Sequence, residues 1–136
     1  DAHDDFVRVL TSALPGLSRA VAHCFTGEGD SLREFIDMGL YIGITGWICD
    51  ERRGKHLHDI VATVPDDKLL LETDAPYLLP RTIRPKPQTR RNEPMYLPEV
   101  LRVVAEARGQ SEEHVARIST ENALSFFAIA DAGPDA

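Results

Sequence analysis

The sequence has little of what marks several protein classes. Among its 136 residues only Cys24 and Cys49 are cysteines, and they form no C-x-x-C pair, which excludes a disulfide scaffold. No apolar run approaches the roughly 18 residues of a membrane span. No basic segment followed by an apolar one, the pattern of a secretory signal, opens the sequence. These absences predict a cytoplasmic protein with reduced thiols and no membrane partner.

Positive charge is also scarce, because the sequence has 15 Lys and Arg residues against 22 Asp and Glu residues, which gives a formal net charge of −7. Such a chain lacks the overall electrostatic attraction of a protein that coats DNA, so any contact with nucleic acid needs a local basic patch or a bound cation. One candidate patch exists in residues 75–95, a proline-rich segment called the basic loop below. The patch consists of five positive side chains with no acid between them: Arg81, Arg84, Lys86, Arg90 and Arg91. We expect these side chains either to bind phosphates or only to keep the loop solvated.

Several motifs of nucleotide-binding proteins and hydrolases are missing. The sequence contains no G-x-x-x-x-G-K-[ST], no G-x-G-x-x-G, no G-x-S-x-G and no H-E-x-x-H. The absence of these four patterns removes the main support for a nucleotide-binding fold, a serine hydrolase or a zinc protease.

The hydrophobic pattern predicts helices that alternate with three short apolar strands, near residues 19–23, 40–45 and 68–73. Asp30 and Ser111 are candidate helix N-caps, Gly39 is a candidate C-terminal cap, and Pro98 is expected to begin a helix. Strands with continuous apolar runs between helices are typical of a parallel sheet covered on both faces. We therefore expect an α/β fold with three parallel strands and flanking helices, as one domain over residues 1–129, followed by a frayed tail at 130–136.

Two polar residues stand where predicted strands end, which is where parallel α/β sheets bind ligands. His23 ends the first strand and could be a metal ligand, a general base or a core histidine bonded to a carbonyl. Asp74 ends the third strand, and Glu72 lies on the same strand face. We expect Asp74 to be functional and Glu72 to form a structural salt bridge with an arginine.

Three further features carry weaker signals. Trp47 and Tyr77 follow strands, so each could stack on a nucleic-acid base or cover the core. The segment His56-Leu57-His58 looks like a metal motif, but residues two apart on a helix face away from each other. We expect these two histidines to be solvated.

Four stretches, taken together and in this order, resemble one family. The sequence is similar to the carboxyl-terminal half of TatD-type metal-dependent deoxyribonucleases over about residues 1–129. The stretches that carry the resemblance are His23-Cys24-Phe25-Thr26-Gly27, Tyr41-Ile42-Gly43-Ile44-Thr45-Gly46-Trp47, Leu71-Glu72-Thr73-Asp74-Ala75-Pro76-Tyr77 and Arg91-Asn92-Glu93-Pro94. The resemblance implies part of a TIM-type (β/α)8 barrel of the amidohydrolase type, a fold that takes about 250 residues.

The resemblance also implies a chemistry, the hydrolysis of phosphodiester bonds in DNA with divalent cations, expected as two ions of Mg²⁺, Mn²⁺ or Zn²⁺. His23 matches the sixth-strand metal ligand, and Asp74 matches the eighth-strand ligand, which would also take a proton from water. The family's other ligands are expected upstream of Asp1. Substrate contacts, or ordering of the basic loop, are expected from Arg91, Asn92 and Glu93, with Tyr77 and Trp47 as stacking candidates.

Three functions stay open from the sequence. The first is a deoxyribonuclease acting on DNA as a single strand or at its ends, present here as a fragment that is inactive alone. The second is a metal-dependent amidohydrolase for a small molecule, with the basic loop as a solvated lid. The third is a non-catalytic half-barrel. Because three strands leave two open sheet edges, we expect the isolated chain to self-associate or else to aggregate.

Overall fold

The centre of the fold is a sheet of three short parallel strands. In the computed structural model, which describes residues 2–129, these are β1 (Val21–Ala22), β2 (Tyr41–Ile44) and β3 (Leu69–Leu71), in the spatial order β1-β2-β3. Tyr41 lies opposite Val21 in the register, and Ile42 lies opposite Leu69. The prediction of an α/β fold with three parallel strands is confirmed, although each strand is shorter than the apolar run that predicted it. The predicted tail at 130–136 lies outside the described residues.

Within residues 2–129, five α-helices flank the sheet: α1 (Ala2–Ala13), α2 (Gly29–Asp37), α3 (Lys55–Ile60), α4 (Leu97–Arg108) and α5 (Glu112–Phe127). Short 3₁₀ turns lie between them at Leu14–Gly16, Gly46–Cys49, Val61–Thr63, Asp66–Lys68 and Pro94–Tyr96. Helix α5 packs against β3 and α4, and α2 packs against β2. The apolar faces of these helices and the sheet enclose the core, in which Ile42, Leu69 and Val104 are fully buried.

The helix ends test the predicted caps. Ser111 accepts a hydrogen bond from the His114 amide and caps α5, as predicted, and Gly39 follows α2 with a left-handed backbone (φ 84°). The prediction of Asp30 as an N-cap is wrong. Helix α2 begins at Gly29, so Asp30 lies inside its first turn, where it accepts a hydrogen bond from Arg33 instead of capping the helix.

A buried arginine ties the helices to the segment that leads into β3. The Arg108 side chain, only 3% exposed, donates hydrogen bonds to the carbonyl oxygens of Val61 and Val64 and pairs with Asp66. From α5, Asn122 donates to the carbonyl oxygens of Asp66 and Leu69. This network fixes the amino-terminal end of β3, and so the direction in which its carboxyl-terminal end points.

The outer strands lie beside apolar clefts. Within residues 2–129 neither β1 nor β3 pairs with a further strand on its outer side. A cleft of about 600 Å³ beside β1 includes Phe6, Phe25 and Phe35 in its lining. A smaller one of about 270 Å³ beside β3 is lined by residues including Leu71 and Leu97. No helix within 2–129 is both long enough and apolar enough to cross a membrane.

Candidate metal centre

The carboxyl-terminal ends of β1 and β3 bring a histidine and two carboxylates together. The His23 Nε2 atom lies 3.7 Å from Asp74 Oδ1 and 3.6 Å from Glu72 Oε2. Both separations are longer than a hydrogen bond, so neither carboxylate is directly bonded to the imidazole. The His23 side chain is 63% exposed, whereas those of Glu72 and Asp74 are 16% and 22% exposed. The expectation that His23 and Asp74 converge at one end of the sheet is confirmed, and their role as ligands stays a prediction.

Glu72 does not make the salt bridge that the sequence suggested. Its Oε2 atom accepts a hydrogen bond of 2.9 Å from the Cys24 backbone N–H, and no arginine of residues 2–129 lies within salt-bridge distance of it. The pKa of the Glu72 carboxyl is raised, mainly because burial disfavours the charged form; the Cys24 amide and His23 act in the opposite direction. The prediction of an arginine partner is wrong, because the carboxylate points along the sheet edge toward the end of β1.

Cys24 lies at the turn that follows His23. Its backbone is in the left-handed region (φ 49°), and its Sγ atom lies 3.4 Å from the hydroxyl oxygen of buried Thr45. Burial raises the pKa of the Cys24 thiol to about 11, so the group is a neutral thiol near pH 7 and not a reactive thiolate. Neither Cys24 nor Thr45 was predicted from the sequence to have a role, although both lie in stretches that carry the family resemblance.

The loop that follows Asp74 is held together by Asn92. This residue is 3% exposed. Its N–H donates to the Pro76 carbonyl, its Nδ2 donates to the Leu78 carbonyl, and its Oδ1 accepts from the Glu93 amide. Of the two roles expected for Asn92, its contacts favour ordering of the loop. Through the bond to Pro76, Asn92 also places its exposed neighbours Arg91 and Glu93 beside the segment that begins at Asp74.

The five positive charges of the basic loop divide into two groups. Arg81 pairs with Asp50 and Glu51, and Arg84 donates to carbonyl oxygens of its own loop. These two side chains therefore stabilise the loop itself. The other three are exposed and lack a carboxylate partner within residues 2–129: Lys86, Arg90 and Arg91. They are the part of the patch that is free to attract an anion.

The two candidate stacking residues differ in exposure. Tyr77 is 74% exposed, and its N–H donates to the Asp74 carbonyl, so its backbone lies in a turn directly after Asp74. Trp47 is half-buried against the core, and the Arg53 guanidinium lies over its ring at 5.8 Å from the centroid. Stacking on a base stays a prediction for both residues.

The two histidines of the segment His56-Leu57-His58 do not form a metal site. His56 Nε2 bonds to the Thr26 carbonyl at 3.1 Å, and His58 Nε2 bonds to the Ile48 carbonyl at 2.8 Å. The expectation that both are simply solvated is wrong, because each is used to join α3 to a neighbouring loop. Within residues 2–129, no group of three or more His, Cys, Asp or Glu side chains is arranged to hold a metal ion.

Comparisons with known proteins identify the family of the chain. A family model described as "TatD related DNase" matches residues 1–128. Among curated relatives, the "3'-5' ssDNA/RNA exonuclease TatD" of Erwinia billingiae is 54% identical over 95% of this chain and 49% of its own length. The protein of the same name from Dickeya dadantii is 56% identical over 93% of this chain and 48% of its own. The chain thus spans about half the length of the curated relatives it matches.

Solved structures show the same likeness. The crystal structure of YJJV, a TatD homolog from Escherichia coli K12, superimposes with a TM-score of 0.79 at 29% identity, over 94% of this chain and 47% of that one. A TatD family hydrolase from Entamoeba histolytica, at 21% identity and a TM-score of 0.67 over 79% of this chain and 42% of that one, shows the shared fold alone. The match of the family model over almost the whole sequence shows that this chain belongs to the TatD related DNase family.

Proposed function

We propose that this chain carries part of the active site of a metal-dependent nuclease that hydrolyses phosphodiester bonds of single-stranded DNA or RNA. The observation that carries the proposal is the 3.7 Å approach of His23 Nε2 to Asp74 Oδ1 at the carboxyl-terminal edge of the sheet. The choice of substrate is supported by curated relatives that are named as 3'-5' exonucleases of single-stranded DNA and RNA. It extends the deoxyribonuclease predicted from the sequence to RNA.

The donor atoms at this edge suit a divalent cation. Two ligands with bonds of about 2.1 Å at a tetrahedral angle lie about 3.4 Å apart, which is close to the observed 3.7 Å. An imidazole nitrogen with a carboxylate oxygen is a donor set that accepts Mg²⁺, Mn²⁺ or Zn²⁺. A catalytic site uses about three protein ligands, so the further donors, and those of a second ion, would come from outside residues 2–129.

Different residues of the chain would take different roles in this reaction. A divalent cation, when bound, supplies a lowered water pKa and positive charge near the scissile phosphate. Asp74 presents a carboxylate oxygen that accepts the proton of the attacking water. Arg91, with Lys86 and Arg90, attracts the phosphates of the strand, and exposed Tyr77 offers a ring on which a base stacks. Trp47, partly covered by Arg53, is the weaker stacking candidate.

The place of action that we propose is the cytoplasm. Cys24 and Cys49 are both free cysteines, and Cys49 is buried. Free thiols persist in a reducing compartment, which supports this location.

The test needs a complete set of ligands. We would replace the matched segment of the Dickeya dadantii relative with this chain and measure cleavage of end-labelled single-stranded DNA and RNA. Mg²⁺, Mn²⁺ or Zn²⁺ would be added in turn, with a chelator as the blank. Asp74→Asn keeps the shape of the side chain, but the neutral amide binds a cation and accepts a proton less well than the carboxylate does. We expect it to slow cleavage by at least about 100-fold while the melting temperature changes little.

Asp37→Asn is the matched control, because Asp37 is exposed at the end of α2, away from the sheet edge. Its cleavage rate should equal that of the unsubstituted chimera. Undiminished cleavage by the Asp74→Asn chimera would contradict the proposed role of Asp74. Cleavage that survives the chelator would contradict the requirement for a metal.

A further inference from the structure

The Glu72 side chain spans the carboxyl-terminal ends of all three strands. Its backbone N–H donates to the Ile44 carbonyl at the end of β2, which places the residue directly after β3. Its carboxylate then extends to the end of β1, where Oε2 lies 2.9 Å from the Cys24 amide nitrogen and 3.6 Å from His23 Nε2. One carboxylate therefore joins the two outer strands at the end that carries the candidate metal centre.

Gly43 in the middle strand makes this reach possible. A Cβ atom added at Gly43 would lie 2.1–2.4 Å from the atoms of the Glu72 carboxyl group, a distance that side chains cannot adopt. The backbone of Gly43 does not have a positive φ, so the glycine is needed for space and not for its conformation. The missing side chain leaves a slot over β2, and the Glu72 carboxylate fills it.

The group that Glu72 holds is the turn directly after His23. Cys24 is a non-glycine residue with a left-handed backbone, a conformation that persists when its surroundings fix it. The next amide, that of Phe25, donates to the Gly43 carbonyl. The Cys24 amide thus binds the side chain of Glu72, directly after β3, and the Phe25 amide binds the backbone of β2. These two bonds anchor the turn, and His23 projects from it toward Asp74.

Stability alone does not explain this arrangement. A carboxylate that is mostly buried costs free energy unless a cation pairs with it, and Glu72 has no arginine or lysine partner within residues 2–129. A neutral glutamine would make the same hydrogen bond to the Cys24 amide without the cost of burying a charge. The hydrogen bond to the Cys24 amide therefore needs the acceptor oxygen of this side chain and not its charge.

We propose that Glu72 is a positioning residue, which passes through the Gly43 slot to hold the Cys24 amide and thereby fixes the His23 imidazole beside Asp74. The proposal deepens the proposed function, because the histidine that it fixes is a candidate metal ligand. The hydrogen bond and the orientation of His23 can nevertheless be measured without metal or substrate. A failure of the nuclease assay and a failure of this proposal are therefore separate results.

The experiment is solution NMR on the 136-residue chain and its variants. One readout is the rate at which the Cys24 amide exchanges with solvent, and the other is the set of Hα–Hβ couplings that reports the His23 χ1 rotamer. Glu72→Ala removes the acceptor, and Glu72→Asp keeps the charge but shortens the reach. Both variants should speed exchange of the Cys24 amide by about tenfold or more. The His23 couplings should move to values averaged over several χ1 rotamers.

The conservative and matched variants complete the test. Glu72→Gln keeps an acceptor oxygen of the same reach, so Cys24 exchange should stay within about threefold of the unsubstituted rate, as expected for a rescued hydrogen bond. Gly43→Ala closes the slot and should reproduce the effect of Glu72→Ala, whereas Gly16→Ala, which meets nothing within 4 Å, should change neither readout.

Unchanged Cys24 exchange and His23 couplings in Glu72→Ala would overturn the proposal. If Glu72→Ala does not fold, Glu72→Asp decides by the same two readouts. If all three Glu72 variants fail to fold, the proposal is also overturned, because a residue needed only to position His23 should tolerate the glutamine.

Discussion

Removal of the buried Arg108 guanidinium should strongly destabilise the fold. The Arg108 side chain is 3% exposed and lies where the end of α4 meets the segment before β3. Its Nη1 atom donates to the carbonyl oxygens of Val61 and Val64, at 2.7 and 2.8 Å, and Asp66 accepts from its Nη2 atom. Arg108→Ala leaves both carbonyls and the Asp66 carboxylate without this donor.

The magnitude follows from the number and burial of these bonds. A hydrogen bond from a charged donor contributes about 1.5–3 kcal/mol, and loss of one partner of a buried pair costs about 3–5 kcal/mol. Asp66 is 45% exposed, so water replaces part of its lost interaction. We expect Arg108→Ala to lower the free energy of unfolding by about 3–5 kcal/mol. Arg108→Lys should lose about 2 kcal/mol, because one ammonium cannot reach all three acceptors.

Urea unfolding followed by far-UV circular dichroism measures this change, with the slope m compared among variants. Arg33→Ala is the matched control, because Arg33 forms an exposed pair with Asp30 and its loss should cost less than about 0.5 kcal/mol. A loss below about 1 kcal/mol for Arg108→Ala at unchanged m would refute the assignment of Arg108 as the anchor of β3.

Three further expectations concern pH, salt and assembly. The pKa of Asp66 is lowered, first by the hydrogen bond from His114 and next by that from Gln110. The resulting stabilisation is present above the usual aspartate pKa and is lost as the pH falls through the depressed value. Urea titrations from about pH 5 to pH 2 should therefore show a shallower loss of stability in Asp66→Asn than in the unsubstituted chain, and equal slopes would count against this pairing. In the chimera, Arg91→Ala should weaken the binding of single-stranded DNA and make the slope of log K against log salt shallower by about 0.7; an unchanged slope in fluorescence anisotropy titrations would remove Arg91 from the phosphate contacts. The isolated chain should self-associate through the open edges of β1 and β3, so light scattering should report a mass above that of one chain, and a stable monomer at high concentration would contradict it.

Local patterns were enough to predict much of the fold. The three apolar runs correctly located β1, β2 and β3, because a strand buried on both faces must be apolar along its length. The parallel order of these strands also brought the residues that follow β1 and β3 to one edge, so the convergence of His23 and Asp74 was predictable without coordinates. Ser111 was predictable as a cap because its hydroxyl needs only the amide three residues away.

Partners that are distant in the sequence could be identified only in the folded chain. Glu72 was expected to pair with an arginine, but its acceptor role depends on the register of three strands and on the space over Gly43. In the basic loop, Arg81 and Arg84 had the same sequence signal as Arg91, yet both are used to hold the loop. Neighbouring residues meet through backbone geometry that every chain shares, so their contacts can be inferred from residue type and spacing. Cys24 and Glu72 are 48 positions apart, and they meet only because packing of the whole core sets the distance between their strands.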